Sequence, residues 1–108
     1  MGKDVLQRLG ETIRARREAG AGSSYTRKLL DGGPALCAQK LGEEAVETMI
    51  AALTQDDAAV KAEAADLLYH LLVLLEARGI PLDEVLAALD AREGTSGLAE
   101  KAARKVAE

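Results

Sequence analysis

The sequence contains very few aromatic residues. Its 108 residues include two tyrosines, no phenylalanine and no tryptophan. Aromatic and β-branched side chains favour strands, whereas leucine and alanine rank among the best helix formers. Because the chain has 17 leucines and 21 alanines, we predict an all-α fold. We expect a bundle of about four to five helices, completed by homodimerisation, in a single domain over residues 1–108.

Cysteine and histidine are also scarce, with one residue of each. A lone cysteine cannot form an internal disulfide, and one Cys with one His supplies too few ligands for a structural zinc ion. We interpret Cys37 as a small core residue rather than as a nucleophile.

The charge balance and the short apolar runs exclude two classes of partner. A net charge of -4 argues against nucleic acid or an anionic membrane surface. No stretch approaches the roughly 20 uncharged apolar residues of a membrane-spanning helix. Charged and apolar residues alternate over residues 1–17, unlike a secretory signal peptide. We therefore expect a cytoplasmic protein with no nucleic-acid or membrane partner.

Apolar periodicity and helix-breaking residues divide the chain into helices. Glycine-rich segments interrupt the pattern at residues 20–24, 31–33 and 94–97, and Gly79 is a natural stop. The long predicted helices cover residues 4–19, 34–53, 57–78 and 81–92, and shorter ones cover residues 24–30 and 98–106.

The segment Leu67–Leu75 is apolar around nearly its whole circumference. A helix of this kind is buried on all sides, and a second copy of a small domain would help to cover it. We predict a homodimer through the Leu67–Leu75 helix. The alternative is a central helix within one bundle.

The predicted helix over residues 34–53 carries more acidic residues on one face than folding requires. Lys40, Glu43, Glu44 and Glu47 fall on one stripe. Glu43 and Glu47 form an i, i+4 pair of like charge, which destabilises an isolated helix. Only Lys40 offsets them locally.

A second acidic pair lies on the most apolar helix. Glu63 and Asp66 are i, i+3 neighbours beside Leu67, where an unpaired carboxylate would be costly. If the two helices pack antiparallel, Glu44 and Glu47 face this pair. Mg²⁺ would then stabilise the acidic residues of both helices, because it prefers carboxylate oxygens and retains water and phosphate ligands. The alternative is two solvated helix faces.

Several segments resemble a known family. Glu43-Glu44-x-x-Glu47 followed by Glu63-x-x-Asp66 resembles the metal-binding signature of the all-α nucleoside-triphosphate pyrophosphatase (MazG-like) superfamily. Other segments, spread over about residues 6–105, are similar to the phosphoribosyl-ATP pyrophosphatase family of histidine biosynthesis. These segments are residues 24–26, 39–44, 65–75 and 92–102.

The resemblance implies a reaction and a metal site. The implied reaction is Mg²⁺-dependent hydrolysis of phosphoribosyl-ATP to phosphoribosyl-AMP and pyrophosphate, carried out by a helical homodimer. Glu44, Glu47, Glu63 and Asp66 are the implied ligands of Mg²⁺. Glu43, on the same stripe, is our candidate to orient or deprotonate the attacking water.

An anionic substrate also requires cations near the site. Tyr25 would stack on the adenine or, alternatively, serve only in packing. Ser96 and Gly97 precede a helix start, which binds phosphate through free N–H groups unless it is an ordinary cap. Charged helix residues often simply face solvent, which is the alternative for the cations. The predicted substrate-binding residues are Tyr25, Thr26, Lys28, Lys40, Arg92, Ser96, Gly97, Lys101 and Arg104.

Two other functions stay open. The first is a house-cleaning pyrophosphatase of the same superfamily that acts on non-standard nucleotides. The second is a helical interaction module without activity, in which the acids are a solvated surface and the leucine run is a partner interface.

Overall fold

A computed structural model describes residues 4–18, 24–93 and 104, and every regular element in this part of the chain is a helix. The all-α prediction is confirmed, with helix ends close to the predicted ones. The predicted helix over residues 98–106 lies outside the described residues except for Arg104, and a single domain over residues 1–108 stays a prediction. The helices are α1 (Val5–Glu18), α2 (Tyr25–Asp31), α3 (Gly33–Thr54), α4 (Asp57–Ala77) and α5 (Leu82–Glu93).

Short polar residues begin two of these helices. The Ser24 side chain accepts a hydrogen bond from a backbone N–H in the first turn of α2, at 3.1 Å. Asp56 does the same for α4, at 2.9 Å. Such caps satisfy N–H groups that have no partner within the helix. Pro34 lies in the first turn of α3, where its missing N–H is not needed.

Gly79 ends α4. Its φ of 68° lies in the left-handed region. In this conformation the N–H of Gly79 donates to the carbonyl of Glu76, and the N–H of Ile80 donates to that of Leu75. These two bonds satisfy carbonyl groups at the end of the helix, as in a Schellman motif.

Helices α3 and α4 form an antiparallel hairpin joined by Gln55 and Asp56, with the most extensive contact between any two described helices. Helices α1 and α2 pack against this hairpin. The core gathers one buried residue each from α1, α2 and α3 and two from α4. They are Ile13, Leu29, Cys37, Leu72 and Val73.

The leucine-rich part of α4 is covered only in part by its own protomer. Leu72 and Val73 are buried within one chain, packed in a core to which α1, α2 and α3 contribute. Leu68 is exposed, and the other leucines of the segment are half-buried. Coverage of this helix by a second copy stays a prediction.

Cys37 is buried, and its Sγ donates to the carbonyl of Leu29 at 3.3 Å. Burial raises the pKa of the Cys37 thiol, which disfavours the nucleophilic thiolate. The interpretation of Cys37 as a core residue is confirmed. Among the described residues, no helix combines the length and the apolar composition needed to cross a bilayer.

Candidate active site

The α3–α4 hairpin brings three of the predicted metal ligands together. Glu44 lies on α3, and Glu63 and Asp66 lie one turn apart on α4. Each residue offers a carboxylate oxygen, and these oxygens lie within 4.8 Å of one another. We call these three residues the acid cluster. Oxygens at this spacing can share one cation.

Two oxygens of the acid cluster are buried without compensation. Oε2 of Glu44 and Oε2 of Glu63 have no hydrogen-bond partner among the residues that the structure describes. Burial raises the pKa of the Glu44 carboxyl, and a hydrogen bond and negative charge from Glu47 raise it further. Buried polar atoms are nearly always paired in proteins. A hard divalent cation would pair both oxygens, so this donor set fits Mg²⁺.

Thr48 links the two helices at the acid cluster. Its hydroxyl donates to the carbonyl of Glu44 at 2.8 Å and lies 3.3 Å from the carbonyl of Glu63 on α4. The first bond is common for threonine within helices. The second joins the backbones that carry two of the acids. The sequence analysis did not find Thr48, since its spacing from Glu44 is typical of any helical threonine.

The other two predicted site acids of α3, Glu43 and Glu47, border the acid cluster without joining it. Glu47 is exposed, and its influence on the pKa of Glu44 shows that the two side chains are neighbours. The carboxylate of Glu43 lies 3.5 Å from Nζ of Lys40. Exposed helix pairs of this type contribute only about 0.5 kcal/mol. Glu43 and Lys40 are therefore weakly held and able to turn toward a ligand.

Tyr25 and Thr26 begin α2 and have opposite surroundings. The Tyr25 side chain is 52% exposed, and its hydroxyl lies 3.3 Å from Nε2 of His70. Thr26 is buried and shares a hydrogen bond with the hydroxyl of Tyr69. Of these two predicted substrate residues, only Tyr25 presents a surface that a ligand can contact directly.

Both tyrosines and the one histidine of the chain form an aromatic cluster, consisting of Tyr25, Tyr69 and His70. The Tyr69 and His70 ring centroids are 5.0 Å apart, and those of Tyr25 and His70 are 6.0 Å apart. The two tyrosine rings are nearly parallel, with an angle of 22° between them. Nδ1 of His70 lies 2.9 Å from the backbone carbonyl oxygen of Asp66, so the aromatic cluster adjoins the acid cluster.

The remaining predicted substrate residues are spread over the chain. Lys28 is exposed on α2, and Arg92 is exposed near the end of α5. Arg104 is helical and exposed. The other three, Ser96, Gly97 and Lys101, lie outside the described residues.

A cavity of about 270 Å³ lies elsewhere, between α1, α4 and the start of α5. Its lining includes Arg14, Glu76 and Leu82 but no member of the acid cluster or the aromatic cluster. The acid cluster and the aromatic cluster therefore lie on a separate, more open surface.

Comparisons with known proteins identify relatives of this chain. A model of the phosphoribosyl-ATP pyrophosphohydrolase family matches residues 6–93. Phosphoribosyl-ATP pyrophosphatase 1 of Bradyrhizobium diazoefficiens is 61% identical over 105 residues, which cover 97% of this chain and 99% of the relative. The phosphoribosyl-ATP pyrophosphatase of Cereibacter sphaeroides is 59% identical over 100 residues, or 93% of this chain and 97% of the relative. That of Caulobacter vibrioides is 61% identical over 101 residues, or 94% of each.

These matches confirm the resemblance found in the sequence. They extend through α1 to α5 and include every residue of the acid and aromatic clusters. The chain belongs to the phosphoribosyl-ATP pyrophosphohydrolase family.

Proposed function

We propose that this chain hydrolyses the α–β phosphoanhydride of phosphoribosyl-ATP, releasing phosphoribosyl-AMP and pyrophosphate in the second step of histidine biosynthesis. Family membership and the names of relatives about 60% identical support this activity. One structural observation carries the proposal: a buried carboxylate oxygen of Glu44 and one of Glu63, beside Asp66, have no hydrogen-bond partner within the described part of the chain. A solvated surface or a protein-binding face has no need for such oxygens.

The acid cluster is the proposed site of Mg²⁺, held by Glu44, Glu63 and Asp66, with Glu47 as a fourth ligand. When bound, the ion supplies positive charge that offsets the triphosphate of the substrate. The negative charge that Glu47 adds beside Glu44 supports its place in this set.

Residues around the acid cluster have proposed roles in water activation and substrate binding. Glu43 orients or deprotonates the attacking water, and its weak pairing with Lys40 leaves it free to do so. Lys40 and Lys28 bind phosphate groups as point charges. Tyr25 offers an exposed ring for stacking on the adenine. Thr26 acts indirectly, by packing against Tyr69. The roles of Arg92, Ser96, Gly97, Lys101 and Arg104 stay predictions.

We infer that the active form is a homodimer that pairs through α3 as well as the Leu67–Leu75 helix. Four exposed apolar side chains, at i, i+3, i+4 and i+7, form a continuous stripe on α3. We call them the α3 stripe; they are Val46, Met49, Ile50 and Leu53. A contiguous apolar surface of this kind is typical of a protein interface. A second copy is the occupant that the family resemblance implies.

A cytoplasmic location completes the proposal. Cys37 is a free thiol, as expected for a chain that works in a reducing compartment. The proposed nucleotide substrate is also a small polar molecule, for which no membrane contact is needed.

Comparing substrates tests this function against the nearest alternative. We expect pyrophosphate release from phosphoribosyl-ATP in the presence of Mg²⁺, at a kcat/KM far above that for ATP, dUTP and modified nucleoside triphosphates. A preference for those triphosphates would instead identify a house-cleaning enzyme. The interaction-module alternative predicts no release from any of them and no change in thermal stability on addition of Mg²⁺.

A further inference from the structure

We propose that His70 is a positioning residue that fixes the ring of Tyr25 beside the acid cluster, ready to receive the purine of the substrate. This inference rests on the proposed function and adds a residue to it. The starting observation is the composition of the aromatic cluster. A chain with two tyrosines and one histidine places all three rings in mutual contact beside the acid cluster.

The hydrogen bonds of His70 determine which ring nitrogen carries the proton. Nδ1 lies 2.9 Å from the carbonyl oxygen of Asp66, one turn earlier on α4. A carbonyl oxygen only accepts, so Nδ1 must donate. In the neutral ring Nε2 then has a lone pair and no hydrogen, which makes it an acceptor. The Tyr25 hydroxyl, 3.3 Å from Nε2, is therefore the donor to His70.

This arrangement gives an exposed side chain a defined position. Tyr25 is the first residue of a helix of seven residues, and half of its side chain is open to solvent. A ring in this place would normally sample several rotamers. The bond to buried His70 and the nearly parallel ring of Tyr69 restrict it. Because the Tyr25 ring is already held in one orientation, substrate binding does not cost the conformational entropy of ordering it.

Two substitutions of His70 separate its two hydrogen bonds. In His70→Asn the amide nitrogen takes the place of Nδ1, so the bond to Asp66 is kept and the acceptor for Tyr25 is lost. In His70→Gln the longer side chain places an amide oxygen near Nε2, so the acceptor for Tyr25 is kept and the bond to Asp66 is lost. Tyr25→Phe removes the same Tyr25–His70 bond from the other side and keeps the ring.

The variants are compared by Mg²⁺-dependent release of pyrophosphate from phosphoribosyl-ATP. We expect Tyr25→Phe and His70→Asn each to raise KM about 3- to 10-fold, with kcat within about twofold of wild type, since one hydrogen bond is lost. His70→Gln should keep KM near the wild-type value. Both substitutions break the same hydrogen bond, the one between Tyr25 and His70. The double variant Tyr25→Phe/His70→Asn should therefore resemble either single variant. A purely structural role would make the Asn and Gln variants equally defective.

Three kinetic results would overturn the inference: an unchanged KM in His70→Asn, equal defects in the Asn and Gln variants, or multiplied effects in the double variant. Inactivity of the wild type on phosphoribosyl-ATP would instead refute the proposed function.

A second readout needs no substrate. Since the chain has one histidine, its ring ¹⁵N NMR signals belong to His70, and only Nδ1 and Nε2 have to be told apart.

At mildly alkaline pH, where an ordinary histidine is neutral, we expect the Nδ1–H tautomer and a shift of the Nε2 resonance in Tyr25→Phe. The Nε2–H tautomer, or an Nε2 resonance that Tyr25→Phe leaves unchanged, would also overturn the inference.

Discussion

Glu44 and Glu63 are placed where a folded protein rarely leaves carboxylates. Each has a buried oxygen without a partner in the described part of the chain, and leaving such an atom unpaired costs about 1–3 kcal/mol. Apolar or amide side chains at these positions would make the hairpin more stable. We therefore attribute the arrangement to the proposed binding of Mg²⁺ rather than to a contribution to folding.

Replacing Glu44 with Gln should stabilise the metal-free protein. The substitution removes a charge that burial and Glu47 both disfavour, and we expect about 1 kcal/mol more free energy of unfolding. Mg²⁺ should raise the melting temperature of the wild type, because a ligand that binds only the folded state stabilises it. The same ion should barely affect Glu44→Gln. Differential scanning fluorimetry with and without Mg²⁺ measures both effects.

The control for this prediction is Glu84→Gln, an exposed acid in the first turn of α5. It should keep the wild-type response to Mg²⁺. A Glu44→Gln variant that responds to Mg²⁺ as the wild type does would show that Glu44 is not a metal ligand. A variant less stable than wild type without metal would contradict the cost assigned to the buried carboxylate.

At the scale of elements, the sequence predicts most of what the structure contains. Caps at Ser24 and Asp56 and the glycine stop at Gly79 place the helix ends, because these signals act through local backbone hydrogen bonds. The facing acids of α3 and α4 were also predictable, since a two-residue connection requires an antiparallel hairpin.

Contacts between distant segments were not predictable in this way. The Tyr25–His70 hydrogen bond joins residues 45 positions apart, and no local sequence pattern determines how α2 packs against α4. The α3 stripe does have helical spacing, but the apolar pattern alone does not determine whether such a stripe packs inside the protomer or stays exposed. Burial of Leu72 and Val73 depends on how α1 and α2 cover α4, which the apolar pattern of α4 alone does not specify.

Alanine substitutions at Gly79 and Gly10 should have opposite effects on the free energy of unfolding. Gly79→Ala forces a Cβ into the left-handed region at φ 68°, which costs about 1–2 kcal/mol. Gly10 lies within α1, and a Cβ there meets Leu82 at an ordinary 3.8 Å. Gly10→Ala should therefore stabilise the protein by about 0.5–1 kcal/mol.

Urea unfolding followed by circular dichroism compares these two variants. The midpoint should fall for Gly79→Ala and rise for Gly10→Ala, with similar slopes. A midpoint that does not fall for Gly79→Ala would contradict the cap assigned to Gly79, and one that falls for Gly10→Ala would contradict the space inferred beside Gly10.

At the scale of the whole molecule, the α3 stripe is the surface that we propose a second protomer covers. Leu53 is 84% exposed and Met49 is 62% exposed. Helical spacing places the centre of the stripe on the side of α3 away from Glu44, whereas Glu43 and Glu47 lie beside its edge. The proposed interface would therefore border the exposed acids of α3 and leave Glu44 facing α4.

Met49→Glu should convert the proposed dimer to a monomer. A charge buried in an apolar interface is costly when unpaired, so we expect a monomer by sedimentation velocity at micromolar concentration. The matched control is Val5→Glu on α1, where the side chain is 65% exposed, and this variant should remain a dimer. A monomeric wild type, or a dimeric Met49→Glu variant, would refute the proposed interface.

The most direct test of the proposed activity measures pyrophosphate released from phosphoribosyl-ATP by wild type, Asp66→Asn and Asp57→Asn, each with Mg²⁺ and with a chelator. Asp66 is a member of the acid cluster, whereas Asp57 is an exposed acid at the start of the same helix. We expect release by wild type and Asp57→Asn only with Mg²⁺, and at least a hundredfold loss, or about 2.7 kcal/mol, in Asp66→Asn. Activity that persists in the chelator, or in Asp66→Asn, would contradict a metal-dependent pyrophosphatase built on the α3–α4 hairpin.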